Sequence, residues 1–477
     1  MRLLMDSEIL LTHNATQLRQ AIGRKEVSPV EIVEEYLNRI ARYDTKLNSY
    51  ITVCGEAALS MARKAEEALS NGDPLGPLHG LPLAVKDQFE TEGIRTTGAS
   101  SILANYVPGE DATVVARSKS AGAILLGKLN MTEFAAGGGD HYKFGDPPRN
   151  PWNFERTAGV SSAGSAIAIA ASLCSISLGE DTGGSIRGPA SFCGIVGLRP
   201  TWGRVSRHGM LPFSWSMDTA GPMTRSVEDA ALLMNVIAGH DTKDPQTSRM
   251  PISDYTEGLN GDLHGLRIGI LREYVNGPGL NTEVTDAVQR AAEQLRLLGA
   301  TITEVTLPML LEMGTAYGIV SESEAGDVHA NWLRTRYRDY GHNIRRRILA
   351  ASLIPGHTLQ KAMHMRGLLR REWFGLFNEV DILLTPTSPT PAGRMEYVDG
   401  ISDFEEAHRR FGGSGSPTTP IAFVGAPALS VPCGFTSDGL PIGLQIVASH
   451  FREDQALQVG YAYQEATGWH HERPRLG

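Results

Sequence analysis

Cysteine is scarce in this chain, with only Cys54, Cys174, Cys193 and Cys433 among 477 residues. None forms a C-x-x-C pair, which argues against a zinc ribbon, a dithiol redox site or a disulfide framework. Cys174 and Cys193 sit among small or apolar neighbours, as reduced core thiols do, and point to the cytoplasm. No apolar run approaches the roughly eighteen residues that a membrane span needs. The opening Met1–Glu8 is broken by Asp6 and Glu8 too early for a secretory leader. The 14 histidines show no H-E-x-x-H and no Cys/His cluster, so neither a metal nor a cofactor is expected. Basic excess is missing as well. With 44 basic and 53 acidic residues the net charge is −9, which gives no general attraction to nucleic-acid phosphates. Two basic clusters, Arg345–Arg347 and Arg366 with Arg370–Arg371, read as solvated helix faces.

What the chain does have is a long succession of helical and extended patterns. Ser28-Pro29-Val30-Glu31 combines an N-cap, a proline at the first helical position and a capping-box glutamate. Ile32, Val33, Tyr36, Leu37 and Ile40 then recur at helical spacing. Leu81–Lys86 reads as a buried strand whose last residue is a lysine. Ala123–Leu126 reads as a second strand, after a helix near Ala112–Ser120. Ser165–Ala171 is apolar on every side, as a wholly buried helix would be. Leu266–Leu271, a helix that stops at Gly299 and Ala300–Val305 make a βαβ-like unit. Further strands are predicted at Ile382–Leu384 and Ala428–Val431. No linker or repeat divides the chain, so residues 1–477 are predicted to form one α/β domain.

Two familiar motifs fail on inspection. Gly122–Lys128 matches most of a P-loop, but Leu129 stands where the magnesium-binding hydroxyl is required. Gly159-Val160-Ser161-Ser162-Ala163 approaches a nucleophile elbow, but alanine replaces its last glycine and no histidine stands in a recognisable context.

Two serine-bearing glycine segments carry more weight. One is Ala158–Ser165; the other is Gly179-Glu-Asp-Thr-Gly-Gly-Ser-Ile-Arg-Gly-Pro189, with the apolar helix between them. Each alone is compatible with a structural turn. A serine hydroxyl needs a neighbouring base to become a nucleophile, and with no histidine placed nearby a desolvated lysine is the obvious one. A second serine can relay the proton. The glycines of Thr182–Ser185 permit a backbone turn that aims N–H groups at one point, where an oxyanion would sit.

This constellation resembles the amidase signature family, whose hallmark is a Ser-cis-Ser-Lys triad. Gly80-Leu-Pro-Leu-Ala-Val-Lys86-Asp87, Arg149-Asn-Pro-Trp152, Asp181–Arg187, Phe192–Thr201, Gly203–Ser206 and Leu429–Gly434 all look like family blocks, in the family's order. The resemblance implies a central mixed β-sheet covered by helices on both faces. Its signature core would span about 80–210 and its variable substrate-pocket region about 305–420. It assigns Lys86 as base, Ser161 as bridging serine and Ser185 as acylated nucleophile. The backbone of Thr182, Gly183, Gly184 and Ser185 would form the oxyanion hole, with Ser162, Asp181 and Arg187 in support. The Val160–Ser161 peptide bond would be cis, although Val160 and Ala163 replace glycines usual in the family. Gly137 and Gly138, in a stretch that departs from the family's common pattern, are expected to line the substrate pocket.

The implied activity is hydrolysis of a linear amide C–N bond through a Ser185 acyl-enzyme. The substrate class stays open among aliphatic and aryl amides, carbamates, hydrazides and urea-like compounds. The expected partner is a small-molecule amide alone, with no nucleic acid and no membrane; the family includes monomers and dimers, which allows a homodimer. The alternative is the glutaminase component of a glutamyl- or aspartyl-tRNA amidotransferase, its A subunit, which releases ammonia for a partner subunit. Ser321–Tyr340 and Phe404–Ser416 do not resemble the usual sequence of that component. A non-catalytic scaffold is the third reading; retention of Lys86, Ser161 and Ser185 argues against it.

Overall fold

The capping box at Ser28 forms as the sequence predicts. Ser28 Oγ accepts from Val30 N at 3.0 Å and Glu31 accepts from Ser28 N at 2.8 Å. Such a cap stabilises a helix by ~1 kcal/mol, and helix Pro29–Leu47 buries Ile32, Val33, Tyr36 and Ile40 along one stripe. The computed structural model of the protein describes residues 12–136, 144–277, 279–395 and 416–476.

Among the described residues one 11-stranded sheet runs in the order β1-β3-β2-β4-β6-β5-β10-β11-β9-β7-β8. In chain order the strands are β1 Tyr50–Val53, β2 Pro82–Lys86, β3 Ile124–Leu129, β4 Ile176–Glu180, β5 Val196–Arg199, β6 Ala220–Thr224, β7 Arg267–Leu271, β8 Thr301–Val305, β9 Ile382–Pro386, β10 Ala428–Phe435 and β11 Pro441–Ala448. The sheet is mixed: β3, β2 and β4 are parallel, while β6 pairs antiparallel with both β4 and β5. β7 and β8 are parallel neighbours joined by helix Thr282–Leu297, which is the βαβ unit predicted from the sequence. The P-loop-like segment lies largely in strand β3 rather than in a loop.

Side chains alternate across each strand, and here both faces are covered. Ile382 and Leu384 of β9 join one apolar cluster and Leu383 joins the other. Leu429 and Ala428 of β10 divide in the same way. One cluster is built on helices such as Pro29–Leu47, Val227–Ile237 and Glu453–Thr467; the other on Met313–Val328, Gly356–Leu376 and Thr418–Val424. Helix Ala163–Ala170 is buried at every residue, as its uniformly apolar sequence requires. This arrangement brings the C-terminal ends of β2 and β4, Lys86 and Glu180, side by side below that helix's N-terminus.

Candidate active site

Lys86 is the last residue of β2 and is fully buried, so its amine lies in the wall of the fold rather than in solvent. Its Nζ donates to Ser161 Oγ at 2.7 Å and to Glu180 Oε2 at 2.8 Å. Burial lowers the Lys86 ammonium below its ordinary value; the neighbouring Glu180 opposes that shift without reversing it. Ser161 precedes helix Ala163–Ala170 and is itself buried. Ser162 fastens the same turn to the end of β4, donating to Glu180 O at 3.1 Å and accepting from Glu180 N at 3.3 Å.

The expected cis bond at Val160–Ser161 is not found, since no peptide bond among the described residues is cis. The chain turns instead at Gly159, whose φ of 99° suits glycine alone, because a Cβ there would lie 2.7 Å from Pro189 Cγ. Val160, whose bulk sets this turn apart from the family pattern, points outward and is 45% exposed.

Ser185 lines a cavity of about 820 Å³, together with Gly159, Val160 and the Thr182–Gly184 loop. That loop is held from behind by Asp181. Its carboxylate accepts from Gly184 N at 2.8 Å and Ile186 N at 3.2 Å, and pairs with Arg187 Nη2 at 2.9 Å and Arg199 Nη1 at 3.0 Å. Burial alone would raise the Asp181 carboxyl, but the two guanidiniums overcome it and hold the group well below the usual range. The Gly184 N–H therefore donates to Asp181. Among the described residues no acceptor takes the N–H of Thr182, Gly183 or Ser185. Helix Arg187–Cys193 begins just beyond.

Reading the sequence missed several groups. Glu180 and Asp218 are buried acids beside Lys86, linked through the Thr182 hydroxyl at 2.6 and 2.7 Å. The available signal was positional: Glu180 ends a strand parallel to β2, and Asp218 precedes β6, whose Ala220 pairs with Glu180. Arg199 was missed as the second partner of Asp181. The basic clusters also need correction. Arg347 pairs with Glu322, and Arg366 donates to Phe423 O at 2.7 Å and Ser216 Oγ at 2.8 Å. Arg346 lines the cavity, donates to Asn343 Oδ1 at 2.6 Å and pairs with no carboxylate among the described residues. Arg347 and Arg366 are drawn inward by partners remote in sequence, which local charge patterning does not show. Gly137 and Gly138 lie outside the described residues; their neighbours Ala135 and Ala136 line the cavity. Among the described residues no group of three or more His, Cys, Asp or Glu could hold a metal ion, and no helix is long and apolar enough to cross a membrane.

The model of the Amidase family matches residues 31–457. The glutamyl-tRNA(Gln) amidotransferase A subunit of Moorella thermoacetica is 42% identical over 97% of this chain and 98% of its own length. The crystal structure of the corresponding glutamyl-tRNA(Gln) amidotransferase chain from Thermotoga maritima has a TM-score of 0.77 at 31% identity, covering 97% of this chain and 94% of that one. A chain from a vestigial protein complex that reveals the evolutionary origins of an s-triazine catabolic enzyme has a TM-score of 0.89 at 34% identity, covering 97% of this chain and 100% of the other. These relatives overturn the expectation of an enzyme that meets only a small amide and no nucleic acid. Relatives alike along almost their whole length are components of larger enzymes, and those enzymes are named for a tRNA.

Proposed function

The chain belongs to the Amidase family, an amidase signature hydrolase, and from that premise we propose that it is the glutamine-hydrolysing component of a tRNA-dependent amidotransferase. One observation carries the reading: likeness to that component runs through 97% of the chain rather than through the signature core alone. The Arg346 guanidinium, which faces the cavity without a carboxylate partner among the described residues, is suited to the carboxylate of an amino-acid amide such as glutamine. All four cysteines are unpaired, as a reducing cytoplasm would keep them.

The reaction we propose begins with neutral Lys86. It withdraws the Ser185 proton through Ser161 as Ser185 Oγ attacks the side-chain amide carbonyl. The oxyanion is met by the N–H groups of Thr182, Gly183 and Ser185, each lost donor being worth ~10²–10³ in rate. The proton returns along the same relay to the leaving ammonia. Water then hydrolyses the acyl-enzyme to glutamate, and the ammonia passes to a partner subunit.

The test is to measure glutamine hydrolysis by the chain alone and again with the remaining amidotransferase subunits and aminoacylated tRNA. Strong stimulation by the full assembly, with a raised glutamine KM in Arg346→Ala, is the expected result. Indifference to the partners, with brisk turnover of simple aryl or aliphatic amides, would instead place the chain among free-standing amidases.

A further inference from the structure

We propose that Glu180 and Asp218 hold a single proton between them across the Thr182 hydroxyl, and that this shared proton lets Lys86 stand beside a carboxylate as a free amine. The inference rests on Lys86 being the base of the reaction above. It assigns to Glu180 and Asp218 a positioning role that the signature motifs do not contain.

Hydrogens are too few for both carboxyls to accept from Thr182 in ionised form. Thr182 Oγ1 lies 2.6 Å from Glu180 Oε1 and 2.7 Å from Asp218 Oδ1. A hydroxyl carries one hydrogen and can donate to only one of them. The other contact would press two lone-pair oxygens together unless that carboxyl is protonated and donates to Thr182. All three side chains are buried, where an unmatched contact of this kind is costly. The remaining oxygen of each carboxyl is occupied by other donors, so the proton lies on an oxygen that faces Thr182. Asp218 Oδ2 accepts from Phe213 N at 2.7 Å and Ser214 N at 2.9 Å, which leaves Oδ1 to carry it. Glu180 Oε2 accepts from Lys86 at 2.8 Å, which leaves Oε1 to face Thr182. The resulting chain runs Asp218 Oδ1–H to Thr182 Oγ1, then Thr182 Oγ1–H to Glu180 Oε1. Burial, with the charge of Glu180 added, raises the Asp218 carboxyl to about 7.

The charges around Lys86 then close. Asp181 faces Arg187 and Arg199, a trio with one net positive charge. The carboxylate pair with its proton contributes one negative charge. Tyr317, which also faces Asp181 and Asp218, is kept neutral by burial. Farther out, Ser214 donates to Glu324, and Arg366 faces that glutamate. The buried cluster is neutral when Lys86 is uncharged. If both carboxylates were ionised, neutrality would require a protonated Lys86, which cannot act as a base. As Lys86 takes the Ser185 proton, Glu180 is in place to stabilise the ammonium that forms.

The test follows the rate at which a fluorophosphonate labels Ser185 across pH in wild type, Glu180→Gln and Asp218→Asn. The acid limb reports deprotonation of Lys86. Removing the Glu180 charge is expected to move that limb down by about one pH unit. Asp218→Asn is expected to leave the limb in place, because its amide can donate to Thr182 as the protonated carboxyl does. A limb dragged down by Asp218→Asn, or left unmoved by Glu180→Gln, would overturn the proposal; a purely structural role for either acid predicts no such contrast. Infrared spectroscopy of wild-type protein carrying carboxyl-13C aspartate gives a reading that needs no folded variant and no labelling of Ser185. A protonated-carboxyl band that moves with the label is expected at neutral pH, and its absence would also overturn the inference. Failure to label Ser185 with that band present would count against the nucleophile and leave the shared proton standing.

Discussion

Lys86 Nζ and Ser161 Oγ meet at 2.7 Å, and both side chains are wholly withdrawn from solvent. A lysine so placed has no surface function, and its contact makes sense as a proton path. Lys86→Met keeps the volume and removes the base. Fluorophosphonate labelling of Ser185 is expected to slow by ~10²–10⁴, the usual contribution of a general base. The variant also strands the Glu180 charge, so circular dichroism should accompany the kinetics. A folded variant labelled within a few-fold of wild type would remove Lys86 from the mechanism.

Asp181 is predicted to be structural as much as electrostatic. It is the sole acid paired with both Arg187 and Arg199 among the described residues, and it holds the Gly184 and Ile186 N–H groups. Asp181→Asn leaves two buried guanidiniums without a counter-ion, a class of change that costs ~3–5 kcal/mol. Urea unfolding should show a clear loss of midpoint. An unchanged midpoint would mean that the arginines find other partners.

The glycine loop offers a sharper contrast. Gly184 sits at φ 130°, and a Cβ there would lie 2.3 Å from Thr418 Oγ1, whose hydroxyl donates to Gly183 O at 2.8 Å. Gly184→Ala must therefore move the loop that presents the Gly183 and Ser185 N–H groups. Labelling of Ser185 should fall by ~10² or more, the scale of one lost oxyanion donor. Gly188 lines the same cavity, yet a Cβ there meets nothing within 4 Å. Gly188→Ala should melt at or slightly above the wild-type temperature, since alanine favours the helix it occupies. Equal behaviour of the two variants would refute the steric account.

These residues show what the sequence could and could not disclose. The capping box at Ser28 and the β7–helix–β8 unit were readable because their signals are local: a short cap motif and a repeat of apolar positions. Lys86 was readable because a charge ending an apolar run needs a reason. The orientation of the Gly184 N–H was not, because it depends on Asp181 being drawn toward Arg199, a residue on another strand. The Glu180–Thr182–Asp218 bridge needs strands β4 and β6 to be paired before its members are neighbours. Arg347 looked like part of a surface run until Met313–Val328 packed beside its helix and supplied Glu322. The partner class lay beyond local physics altogether; it came from likeness along the full length of other chains.

The acid side of the stability profile should depend on histidines that the fold shields from water, His329 and His450 among them. His329 is fully buried, edge-on to Phe134 at 4.7 Å, with Nδ1 2.8 Å from the Tyr340 hydroxyl. Burial lowers its pKa to about 4, and burial likewise lowers His450 to about 4. Both are neutral in the fold, whereas in the unfolded chain they take up protons near their ordinary value of 6.5. The unfolded state thus binds more protons between pH 6.5 and 4, and stability rises with pH wherever that holds. Their contribution is complete above pH 6.5 and is lost as pH falls toward 4. Melting temperature should therefore decline steeply through this window. In His329→Phe, which keeps a ring against Phe134, Trp332 and Tyr340, the decline should be shallower even if the plateau Tm is lower. Parallel wild-type and variant slopes would show that His329 already shares its proton in the folded state.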